Sequence, residues 1–185
     1  MPGKASSVAF GGIAAALCLL FLSAVRLLPT ADLVFLSLTS LAVAAVVIEK
    51  GVRTAALAWL AASVLSLVFP GFQTSLAFVV FFGPYPLAKA WIEGRKGMRP
   101  MPAWLLKFLA FDLVFVPVGL LVLGPLSGTF GTTAYLDLWS GRLWSGAPVV
   151  LLVLAAAQVV FAVYEIALSL MISFYLRRIR PALAR

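Results

Sequence analysis

The chain has 185 residues, of which 64% are apolar and only 11% charged, against roughly 45–50% apolar and about 25% charged in soluble domains. Six acids and fourteen bases cannot clothe the outside of a folded core in water, which excludes a soluble globular protein. The chain has no histidine and one cysteine, so imidazole acid–base chemistry, histidine-ligated metal, a serine–histidine relay and an internal disulfide are excluded as well.

A helix crossing lipid needs about 20 apolar residues, and six such stretches follow one another. The first, residues 8–28, opens with Gly11/Ala15 and Gly12/Ala16, small pairs four apart that let two helix backbones approach closely. Cys18 lies among leucines and alanines and reads as a buried apolar residue. The turn Leu28-Pro29-Thr30-Ala31 then leads to Asp32 and a second span, 33–48. A charged turn, Glu49-Lys50-Gly51-Val52-Arg53, leads to the third, 54–69, and Pro70-Gly71 separates it from the fourth, 72–91.

The fourth span contains Gly83-Pro84-Tyr85-Pro86. Two prolines withhold two backbone donors and obstruct the preceding turn, so a kink is expected, with carbonyls that need other partners. After a basic loop from Glu93 to Pro102 comes the fifth span, 104–123. A long outer loop, 124–147, precedes the sixth, 148–176. One half of this loop is rich in Gly, Ser and Thr, and the other carries Tyr135, Asp137, Trp139, Arg142 and Trp144. Aromatics at this level serve as interfacial anchors, yet loops this long often bind ligand.

The expected fold class is therefore all-α: a single polytopic six-helix transmembrane domain, residues 1–185. With the N-terminus inside, twelve bases fall on cytoplasmic segments and only Arg26 and Arg142 outside. The excess of inside positive charge puts both the N- and C-termini on the cytoplasmic side. The +8 is thus read as orientation and contact with anionic lipid, with no nucleic-acid role.

Three charges stand within or near the apolar belt: Lys89, Asp112 and Glu165. Glu165 is twelve residues before Arg177, about 18 Å along a helix, which sets it near mid-membrane. There it must be paired, protonated or turned to a polar cavity. Gln158, seven residues earlier, shares its helix face. These residues form either interhelical clamps, such as Lys89 with Asp112, or a ligand or proton site. No nucleophile, metal cluster or cofactor motif accompanies the carboxylates, so an enzyme is not expected.

The six spans, the cytoplasmic ends, the small pairs opening helix one and the long outer loop together resemble the substrate-binding membrane subunits, or S components, of energy-coupling factor transporters. The resemblance implies capture and uptake of a vitamin-like small molecule at the plasma (inner) membrane of a bacterium. It also implies a transmembrane coupling subunit bound to ATPases, since this chain has no Gly-x-x-x-x-Gly-Lys-Ser/Thr run of its own. Helix one of that family docks on the coupling subunit, a role carried onto Gly11, Gly12, Ala15 and Ala16; a literal Ala5/Ala9 pair lies nearer the membrane edge. The ligand residues implied are Asp32, Tyr135, Asp137, Trp139, Arg142, Trp144 and Gln158, and Glu165 joins them as an intramembrane carboxylate. The alternative is a non-catalytic scaffold or partner subunit, like the rod-shape membrane proteins called MreD.

Overall fold

A computed structural model describes residues 4–94, 100–123 and 147–183, and every regular element among them is a helix. These are α1 (Lys4–Leu27), α2 (Asp32–Lys50), α3 (Val52–Ser66), α4 (Phe72–Ala77), α5 (Tyr85–Glu93), α6 (Pro100–Leu123), α7 (Ala147–Phe174) and α8 (Arg180–Leu183). Wider π turns cover Phe78–Phe82 and Tyr175–Ile179, and the chain kinks within Leu67–Gly71, where Phe69 is extended (φ −149°, ψ 122°). Six stretches are long and apolar enough to cross a membrane: Ala5–Leu27, Asp32–Lys50, Val52–Gly71, Thr74–Glu93, Met101–Gly119 and Leu154–Arg178.

Two boundaries differ from the sequence expectation for a physical reason. The turn expected over five residues narrows to Gly51 alone, with Glu49 and Lys50 in the last turn of α2 and Arg53 in the first of α3. Gly51 adopts φ 87° and its N–H donates to Val47 O at 3.0 Å. A residue without Cβ reaches this conformation freely, so one position suffices to reverse the chain. The basic loop is likewise shorter than expected, since α6 already begins at Pro100, where a missing N–H costs a helix nothing.

The chain divides into two compact units, one of residues 1–99 with 166–185 and one of residues 100–165, with the boundary inside α7. In the first unit α1, α2 and α3 pack against one another and α5 packs on α2 and α3. Helix α1 contributes Ala14, Ala15, Cys18, Leu22 and Val25 to the core, and α3 contributes Ala55, Ala58 and Ala62. A Cβ at Gly11 would stand 3.6 Å from Thr54 Cγ2 and 3.7 Å from Ala58 Cβ. Small side chains on both helices therefore set the close α1–α3 approach.

The exposed surface is unlike that of a soluble protein. Thr39, Ser40, Ser63, Ser66 and Ser75 are buried, as are large apolar residues such as Leu22 and Phe78, while Val8, Leu57 and Val68 are 75%, 67% and 85% exposed. Helices with such apolar outer faces match a lipid surround.

In the second unit α6 and the first part of α7 run antiparallel. Phe111 stacks on Phe161 with centroids 4.6 Å apart, and on Phe115 at 5.0 Å. Phe108 meets Phe161 edge-on at 5.2 Å.

Candidate functional site

The α6–α7 pair carries a short polar ladder. Lys107 Nζ donates to Glu165 Oε1 at 2.5 Å, with both side chains buried, Glu165 to 1% exposure. Two aromatic layers further along, Gln158 Nε2 donates to Asp112 at 2.5 Å. Five residues separate the two rungs on α6 and seven on α7, in opposite directions, which fixes the antiparallel register. The Lys107 ammonium also stands 5.7 Å from the Trp104 ring centroid, a favourable position over an aromatic face.

Electrostatics explains the pairing. A lone charge among these phenylalanines would forfeit its hydration, whereas opposite charges in hydrogen-bonded contact offset much of that cost. The Asp112 rung is less complete: its glutamine uses the amide N–H, and Gln158 Oε1 is shielded with no hydrogen-bond partner. That leaves an acceptor atom free for a donor.

In the first unit the fourth span breaks as its composition requires. The π turn ends with Gly83 N–H donating to Phe78 O at 2.8 Å, and α5 restarts at Tyr85. Pro86 has no N–H to give Phe82 O, and Ser40 Oγ from α2 supplies the missing donor at 2.6 Å. The freed carbonyl thus finds a protein partner. On α5, buried Lys89 donates to Ser169 of α7 at 2.9 Å and pairs with Glu93 at 2.9 Å. It borders a cleft of about 110 Å³ walled by Ala44, Val47, Pro86, Ala90 and Ile172.

The sequence-derived candidates are thus distributed as follows. Asp112 and Gln158 share one rung, and Glu165 lies on the next. Asp32 starts α2 half-buried, with one carboxylate oxygen sheltered and without a hydrogen bond; nearby in sequence, Arg26 donates to Pro70 O at 2.8 Å. Gly11 and Ala15 are buried against the core, and Gly12 and Ala16 are exposed. Tyr135, Asp137, Trp139, Arg142 and Trp144 lie outside the described residues. Among the described residues no three His, Cys, Asp or Glu side chains cluster to hold a metal.

No protein-family model, curated protein or solved structure matches the chain. The geometry of its own residues therefore carries the functional reading.

Sequence reasoning missed Lys107 as the partner of Glu165 and counted it among the topological bases. The available signal was its position inside the apolar fifth span, where an unpaired lysine is expensive. It also missed Ser40, which the two prolines of span four made necessary without naming.

Proposed function

We propose that the chain is a multi-pass subunit of a bacterial-type inner membrane, with both termini cytoplasmic, that docks on a partner membrane protein and captures a small molecule from outside. In this reading it works as the S components it resembles do, with ATP hydrolysis supplied by the partner assembly. The observation that carries the docking role is the division of α1 into two small-residue faces. Gly11 and Ala15 are used inside the chain, whereas Ala5, Ala9, Gly12 and Ala16 form an outward stripe that nothing in the first unit covers. In lipid such a stripe favours association by close backbone packing.

Orientation rests on charge. Buried Lys89 and Lys107 no longer count toward topology, which leaves ten bases on the segments read as cytoplasmic against Arg26 and Arg142 outside. The asymmetry survives the correction. The sheltered, unpartnered Asp32 oxygen at the start of α2 supports a ligand contact there.

The test is purification in a mild detergent, followed by mass spectrometry of proteins and small molecules together. A second membrane subunit with ATPases, accompanied by a bound metabolite, is the expected result. A membrane partner without ATPases or metabolite would favour the scaffold role, and recovery of the chain alone would contradict both.

A further inference from the structure

The first unit contains two hydrogen-bonding side-chain atoms, from residues four apart on α3, that the protein itself leaves unused. Trp59 Nε1 and Ser63 Oγ are both shielded from the surroundings and have no hydrogen-bond partner, and Ser63 as a whole is only 6% exposed. They stand four residues apart on α3 and so lie on one helix face. A helical serine or threonine commonly returns its hydroxyl to the carbonyl four residues back. Ser23, Ser37 and Thr54 do so, to Leu19, Leu33 and Lys50. Ser63 does not.

Gly83 positions the indole. A Cβ there would fall on Trp59 Cδ1 and Nε1, so the N–H edge of the ring lies against the backbone where span four is broken. At the break itself Ser40 donates to Phe82 O and Gly83 N–H to Phe78 O. Two orphaned side-chain groups are costly at hydrocarbon depth, where no bulk water can relieve them.

We propose that Trp59 and Ser63 form a binding site for an uncharged oxygen acceptor, either a buried water or the carbonyl oxygen of a small neutral solute. The indole can only donate, and the hydroxyl can donate as well as accept; the occupant therefore presents oxygen lone pairs to both. No charge is needed from the ligand, because neither group carries one. The site is independent of the docking stripe on α1 and stands whether or not the chain captures a nutrient.

The full chain in detergent micelles tests this with Ser63→Ala. Alanine is the better helix former, so if the two atoms are simply unsatisfied the substitution leaves the melting temperature unchanged or raises it. If they hold an oxygen, it lowers the melting temperature by about 2–4 °C. The Trp59 indole N–H resonance, assigned by its loss in Trp59→Phe, should lie downfield in the wild-type protein and move upfield in Ser63→Ala. An unchanged or raised melting temperature, or an unmoved resonance, overturns the proposal. Solvent extraction then separates the sources: a small molecule released by wild type and at least about tenfold less abundant from Ser63→Ala assigns the oxygen to a solute, and no such molecule assigns it to water.

Discussion

Glu165 and Lys107 show what a single residue contributes in lipid. Replacing Glu165 by Gln leaves the Lys107 ammonium buried without its counter-charge, and loss of one partner from such a pair costs about 3–5 kcal/mol. The double change Lys107→Met with Glu165→Leu removes both charges and should restore stability to within about 1 kcal/mol of wild type. Detergent-micelle unfolding of wild type, Glu165→Gln, Lys107→Met and the double variant checks this. Equal, small losses in both single variants would mean that the pair is solvated. Gly83→Ala is expected to destabilise by about 1–3 kcal/mol, the usual cost of overpacking, because its methyl meets the Trp59 indole and Phe78 O. A melting temperature equal to wild type would show that the indole moves aside freely. The sequence marked Glu165 as a charge that needed an explanation, but its partner depends on an antiparallel register set across 57 intervening residues. No local spacing announces that register.

Helix α1 shows how an element divides one compositional signal into two roles. Gly11/Ala15 and Gly12/Ala16 are indistinguishable as letters, yet successive helical residues are turned by about 100°. One pair therefore faces Thr54 and Ala58 while its neighbour faces outward. Gly11→Leu should lower the melting temperature of the chain itself. Gly12→Leu with Ala16→Leu should leave melting unchanged while removing the co-purifying membrane partner. Identical behaviour of the two sets would erase the distinction between the faces. That six helices are long and apolar enough to span a membrane was legible, because uninterrupted apolar runs and Gly/Pro breaks report such helices directly. The compaction of the α2–α3 turn to Gly51 was not, because charged neighbours look like loop although each fits the end of a helix. The C-terminal segment was also unforeseen: Arg180 reaches back to Glu49 at 3.1 Å, a contact that only the fold makes local.

For the molecule as a whole, the distribution of side chains argues more strongly than their totals. Buried hydroxyls and exposed large aliphatics among the described residues suit a lipid surround, and the proposed orientation rests on where the bases fall along the sequence. A reporter active only in the cytoplasm should work when fused after Arg185, and activity only of a periplasmic reporter there would reverse the orientation. Much of the ligand chemistry read from the sequence belongs to residues 124–146, outside the described residues, so the partner face offers the sharpest trial of function. A photo-crosslinking amino acid placed in turn at positions 11, 12 and 16 of the full chain in native membranes provides it. Positions 12 and 16 should form a covalent adduct with the same membrane protein, one also recovered with the ATPases, and position 11 should not. Adducts absent from 12 and 16, or equally abundant at 11, would contradict a docking role for this helix.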